Sequence, residues 1–249
     1  MVHHLIVIAS SYKLGKRIAW HYAAEIIDKS KLEELKTKTS EILGKPEYAI
    51  HKLSTESEKW ESVIEKDSFF DKLKVYSDLD EFLKVVKEDK ILTALDIAKL
   101  VLSIQSMSNL KLQKIVYFVY AEYLSRYGKS LFKDPIIALP YGPVITSIYR
   151  HYKKHGSEVI SEKEEDDDIS LEDIKIPLAL AKILQSDDAE QILDVVHEVF
   201  KKFGKEKPSK LVDITHREGA PWTRVMDSGG IGKIITDELI KKYHSVEMN

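Results

Sequence analysis

A mainly α-helical protein with a small N-terminal α/β unit is the fold this sequence predicts, on three observations. From residue 92 onward, apolar residues recur at three- and four-residue spacing in one segment after another. The first 91 residues open instead on a short continuous apolar run, "HLIVIAS", of the kind a buried strand carries. A new capped helix starts just after "EDKIL" at residues 88–92, which sets the expected boundary: an α/β extension over 1–91 and a helical domain over 92–249.

The elements follow in order. After the first strand, Ala19, Tyr22, Ala23, Ile26 and Ile27 fall on one face of an expected helix. Leu32, Leu35, Thr39 and Ile42 continue the helical spacing until Gly44-Lys45-Pro46 stops it. "EYAIHKL" reads as a second strand. Three capping boxes are then expected: Thr55 with Glu58, Ser77 with Asp80, and Thr93 with Asp96. In each, a hydroxyl can satisfy free N–H groups while the acid three residues on reaches back. The last two open segments with apolar faces, at Leu79, Phe82, Leu83 and Val86 and at Ile97, Leu100, Val101 and Ile104.

The clearest helix is "SNLKLQKIVYFVYAEYLSRYG". Leu112, Ile115, Val116, Val119, Tyr120, Tyr123 and Leu124 share its face, Ser108 or Asn109 caps its start, and Gly128 ends it. In "YGPV", Pro143 suits the first position of a helix, where its missing N–H costs nothing. That helix would bury Val144, Ile148 and Tyr152 and expose Arg150, Lys153 and Lys154. "SEKEEDDDIS" reads as a solvated acidic loop, with an acidic arm for a basic partner as the competing reading. A further helix carries Ile192, Val195, Val196, Val199, Phe200 and Phe203 on one face. Asp187 and Asp188 near its start and Lys201 and Lys202 near its end are placed as the helix dipole favours. Short helices over 208–216 and 236–244 close the chain.

Composition narrows the function. With 32% charged and 43% apolar residues, the chain belongs among charge-rich globular proteins. Residues 1–91 hold 16 basic and 17 acidic side chains and the remainder 22 and 24, so neither part has the basic excess that nucleic-acid binding calls for. The absence of cysteine excludes disulfides, thiolate zinc sites and thiol nucleophiles. No apolar stretch approaches the roughly 18–20 residues that span a bilayer. The N-terminal apolar run is too short for a signal sequence, so a cytoplasmic protein without a membrane partner is expected.

Few residues suggest chemistry. "ASSYKLGKR", between the first strand and the expected helix, could hold a phosphate group through Ser10, Ser11, Lys13 and Lys16 at a helix N-terminus. It lacks the G-x-x-x-x-G-K-[ST] arrangement of a P-loop, and an ordinary turn is the plainer reading. "SGGIGK" at 228–233 has no strand before it and reads as a turn. His151 and His155 have a chelating four-residue spacing but no third ligand, and His3 and His4 point to opposite sides of a strand. In "THREGAPW", His216 reads as a hydrogen-bonding orienter and Trp222 as a core plug, since a general base needs a nucleophile or water site and none can be named. Tyr117, Tyr120, Tyr123 and Tyr127 lie along a single helix and read as core edges with hydroxyls reaching water. No catalytic constellation, metal site or cofactor is expected.

Four elements together resemble a known family. They are Asn109 to Lys114 (N-L-K-L-Q-K), Gly128 to Phe132 (G-x-x-L-F), Tyr141 to Val144 (Y-G-P-V) and Thr215 to Trp222. In this order they are similar to the Panacea domain, the SocA-like antitoxin family, over residues 92–245. The last element has four residues between His216 and Pro221 where the family motif has three, and Leu139-Pro140 stand where the family often carries tryptophan. Residues 1–91 match nothing. The resemblance implies a helical domain that neutralises a cognate toxin encoded by an adjacent gene, often in a mobile element or prophage. It also implies a protease or chaperone as a further partner where the antitoxin acts as a proteolytic adaptor, and it leaves room for binding to its own promoter. Function then lies on surfaces, and Lys111, Lys114, Tyr141, Arg150 and Lys153 are the candidate partner contacts, with simple solvent exposure or packing behind the surface as the plainer reading of all five. The competing reading is an enzyme or nucleotide-binding protein acting through residues 9–17.

Overall fold

The computed structural model describes residues 1–161, 168–171 and 174–249. The chain divides into two compact units, Met1–Ile91 and Leu92–Asn249.

The first unit is built on a four-stranded sheet of order β3-β1-β2-β4, from β1 (Val2–Ser11), β2 (Lys16–Ala24), β3 (Ala49–Thr55) and β4 (Lys74–Tyr76). β1 is central and antiparallel to β2 and β3, while β2 and β4 are parallel. Its continuous apolar run reflects burial on both faces. Leu5, Val7 and Ala9 pack with Leu35 of α1 (Lys29–Ile42) and with Phe82, Leu83 and Val86 of α3 (Leu79–Lys90). Ile6 and Ile8 meet Val63 of α2 (Trp60–Lys66) and Phe70.

Two expectations are corrected here. Residues 16–24 form a strand and not a helix, because Ile18, Trp20 and Tyr22 alternate onto the α1–α3 side in register with β1. Gly15, at φ 60°, turns the chain between them. Of the three capping boxes only Thr93 with Asp96 forms, at the start of α4 (Ala94–Ile104). α3 is capped by Asp78, which accepts from Glu81 N, and the Thr55 hydroxyl bonds Ser57 O near the end of β3.

The second unit is organised around α5 (Asn109–Tyr127). The sequence gives α5 one apolar face, yet it is buried on nearly every side from Asn109 to Leu124. α4, α6 (Thr146–Tyr152), α8 (Ala189–Phe203), α9 (Pro208–Thr215) and α11 (Asp237–Tyr243) all pack against it. On the α8 side, Phe118 stacks on Phe203 with ring centroids 4.4 Å apart. Gly128, at φ 73°, closes the helix by donating its N–H to Leu124 O.

β5 (Met107–Ser108) pairs with β8 (Val159–Ile160), and β6 (Ile136–Leu139) pairs with β7 (Gly142–Ile145). "YGPV" therefore enters a hairpin strand and not a helix; α6 begins only at Thr146. Most of the expected acidic loop, residues 162–167, lies outside the described residues. Beyond it β9 (Asp168–Leu171) and β10 (Ile174–Pro177) pair antiparallel and lead into α7 (Leu178–Leu184). α10 (Pro221–Asp227) and α12 (Ser245–Met248) complete the α-helices among the described residues of this unit.

Candidate functional site

The sequence motifs converge on the β6–β7 hairpin. Strand residues alternate in the direction of their backbone groups, so each edge of a two-stranded hairpin leaves every second N–H and C=O without a partner. On β6 that edge belongs to Ile136 and Ala138. Segment 232–235 satisfies it: Ala138 N donates to Lys233 O, Gly232 N to Ala138 O and Ile235 N to Ile136 O. "SGGIGK" thus ends as a third strip beside the hairpin, with Ile234 bridged to Ile137.

On β7 the open edge belongs to Pro143 and Ile145, and the N-L-K-L-Q-K motif closes it with side chains. Gln113 Oε1 accepts from Ile145 N at 2.8 Å, and Lys114 Nζ donates to Pro143 O at 2.9 Å. Proline needs no acceptor, having no N–H, so its place on this edge costs nothing. Lys111 Nζ reaches Gly204 O, at the end of α8, at 2.7 Å. All three side chains are buried, Lys114 completely. Lys111 and Lys114 are therefore corrected as surface contacts, because α5 is enclosed and their ammonium groups serve backbone carbonyls. Burial lowers both pKa values, that of Lys114 to about 7, with the Glu247 charge opposing.

The T-H…P-W element grips the hairpin from its other end. Trp222 Nε1 donates to Leu139 O at 2.9 Å, and the His216 ring stacks on Trp222 with centroids 3.6 Å apart. Burial holds the His216 pKa down, and the Lys114 charge adds to the effect. Thr215 donates its hydroxyl to Val212 O, within its own helix. Gly142, at φ 99°, lies where these elements meet. A Cβ there would come 2.7 Å from Thr215 Oγ1 and 2.8 Å from Lys114 Nζ. Trp222 and His216 thus hold the hairpin in place.

A second cluster was invisible in the sequence. His244 is buried between two carboxylates: Nδ1 lies 2.7 Å from Glu247 Oε2 and Nε2 lies 3.2 Å from Glu122 Oε2. Tyr117 donates to Glu247, and Arg217 donates to the carbonyls of Val246 and Glu247. Burial opposes the charged imidazole, but its bonds to Glu122 and Glu247 win and raise its pKa. The His244 bond also pulls Glu122 down to about 2, against burial and with help from Arg126. Burial raises Glu247. Three of the four tyrosine hydroxyls of α5 bond to acids. Tyr117 bonds Glu247 in α12, Tyr120 bonds Asp237 at the start of α11, and Tyr123 bonds Asp188 at the start of α8. Each one fastens another helix to the central one.

The other expected contacts, Tyr141, Arg150 and Lys153, are exposed, and Tyr141 keeps 71% of its surface. In the first unit the phosphate candidates lie in the β1–β2 turn, with Ser10, Lys13 and Lys16 exposed and Ser11 buried. The turn is already filled by a carboxylate of the chain. Asp89 accepts from the Ser11 hydroxyl at 3.0 Å, from Tyr12 N at 2.7 Å and from Lys13 N at 2.8 Å. An anionic ligand would meet a negative charge there, with no helix N-terminus behind the turn.

Among the described residues, no group of three or more histidine or acidic side chains could hold a metal ion. No described helix is long and apolar enough to cross a membrane.

Comparison with known proteins falls on the same elements. Residues 112–223, which hold Gln113, Lys114, Gly142, Pro143, Thr215 and Trp222, match the model of the family described as "Antitoxin SocA-like, Panacea domain". Antitoxin SocA of Caulobacter vibrioides (strain NA1000 / CB15N) is 29% identical over 140 residues, which is 54% of this chain and 70% of that protein. No solved structure matches.

Proposed function

We propose, from the premise that residues 112–223 are a SocA-like Panacea domain, that this protein is an antitoxin. It neutralises a partner toxin, the product of an adjacent gene, by direct protein–protein binding in the cytoplasm. The family match carries this reading, and the geometry supports it in one respect. The motif side chains are committed to the protein's own backbone, so recognition is left to exposed residues. Of the expected contacts, Tyr141, Arg150 and Lys153 keep that role. Lys111 and Lys114 hold the scaffold that presents them.

Growth tests this. Cells expressing the adjacent gene product alone should stop growing, and co-expression of the full chain should restore growth. Persistence of the toxin in the rescued cells supports masking, whereas its disappearance points to delivery to a protease. Failure of the chain to restore growth of poisoned cells refutes the antitoxin reading. The nucleotide-binding alternative loses its support to Asp89, which occupies the turn it depends on.

A further inference from the structure

We infer that the exposed face of α6 and the turn after it, Tyr149, Arg150, Lys153 and Lys154, is a docking surface for an acidic patch on a partner protein. The inference rests on the antitoxin reading and gives it a location and a chemistry.

The face is set by helical spacing. Ile148 and Tyr152 point inward and are fully buried, whereas Tyr149, Arg150, Lys153 and Lys154 are exposed on the opposite side. Tyr149 and Lys153 are four apart, as are Arg150 and Lys154, so the four form one contiguous patch.

Its charge is of one sign, with no acidic residue in the stretch of chain that carries it. Acidic residues number 41 in 249, yet the 23 positions from Pro135 to Ser157 contain none. Some exposed cations sit beside carboxylates, as Lys29 does with Glu33, Lys38 with Asp80 and Lys129 with Asp188. Arg150, Lys153 and Lys154 have no such neighbour among the described residues. Cations near the end of a helix are favoured by its dipole. The dipole does not account for a tyrosine left 51% exposed among them. Tyrosine and arginine together are what protein interfaces concentrate at their energetic centres.

The pattern favours an acidic protein surface over nucleic acid. Three cations on a chain of net charge −3 are far fewer than the basic stripe that phosphate backbones require.

The experiment measures binding of the purified adjacent gene product to the full chain and to a triple variant, Arg150→Glu, Lys153→Glu and Lys154→Glu. A control variant makes the same charge change at the exposed residues Lys201, Lys205 and Lys210, and circular dichroism checks each fold. The triple variant should bind roughly 100-fold more weakly, with most of the salt dependence gone, and the control should stay within about twofold of the wild type. Tyr149→Ala should weaken binding by about tenfold or more. Equal binding by the triple variant and the control overturns the assignment while leaving the antitoxin reading intact. No binding by the unaltered chain removes both. A labelled DNA duplex is run in parallel, and if it binds the wild type but not the triple variant, the patch is a nucleic-acid site and the assignment is wrong.

Discussion

Replacing Lys114 by methionine should flatten the dependence of stability on alkaline pH. Lys114 is fully buried beneath the β6–β7 hairpin, and burial lowers its pKa from 10.5 to about 7. Below pH 7 the amine is protonated in both folded and unfolded chains, and the cost of burying its charge is felt in full. Between pH 7 and 10.5 the unfolded chain holds the extra proton, so stability rises with pH. The slope is at most about 1.4 kcal/mol per pH unit, and the whole gain is about 4–5 kcal/mol. Methionine fills a similar volume and carries no titrating group. Urea unfolding followed by circular dichroism, at half-unit steps from pH 6.5 to 10, would give both profiles. Subtracting the variant's profile from that of the wild type removes whatever the first unit contributes. A difference curve that climbs through this window supports the argument. Parallel profiles would refute it, because Lys114 would then keep its ordinary affinity for the proton despite its burial.

Gly142→Ala should destabilise the second unit by about 2–4 kcal/mol, because its Cβ would strike Thr215 Oγ1 and Lys114 Nζ at a φ of 99°; chemical denaturation would measure this. The Glu122–His244 pair should stabilise most between about pH 4.5 and 6.5. The raised His244 pKa loses its contribution as pH rises through the folded value, and the lowered Glu122 pKa loses its own as pH falls toward 2. Glu122→Gln should remove about 3 kcal/mol from the acid limb in acid titrations of the unfolding free energy. Asp89→Ala should cost about 2–4 kcal/mol by leaving the Tyr12 and Lys13 amides and the Ser11 hydroxyl without an acceptor. ATP and GTP should produce no thermal shift with the wild type, and a clear shift would reinstate the phosphate reading.

What the sequence disclosed followed the range of the interactions involved. α5, its Gly128 stop and the Thr93–Asp96 capping box depend on contacts within a few residues, and all were legible. β2 was misread because "RIAWHYAA" satisfies helical spacing and strand alternation alike, and only pairing with β1 decides between them. Pro143 was placed on the wrong element for a sound reason. A helix start and an outer strand edge both tolerate a missing N–H. Lys111 and Lys114 fall off the apolar face that the spacing gives α5, which is what makes them candidate contacts in the sequence. Their partners, Gly204 and Pro143, are 93 and 29 residues away and left no local signal. The same distance hid the cluster of Glu122, His244 and Glu247, whose longest link spans 122 residues. The exposed Tyr141, Arg150 and Lys153 were legible because each lies beside a recognisable turn or on the outer side of a short amphipathic helix.

The central claim is that this chain neutralises a toxin by binding it. Size-exclusion chromatography of the full chain mixed with the purified adjacent gene product, with the toxin's activity assayed across the fractions, tests it most directly. The account predicts a single co-eluting complex in which the toxin is silent. Separate peaks, with the toxin fully active in the presence of excess chain, would contradict it.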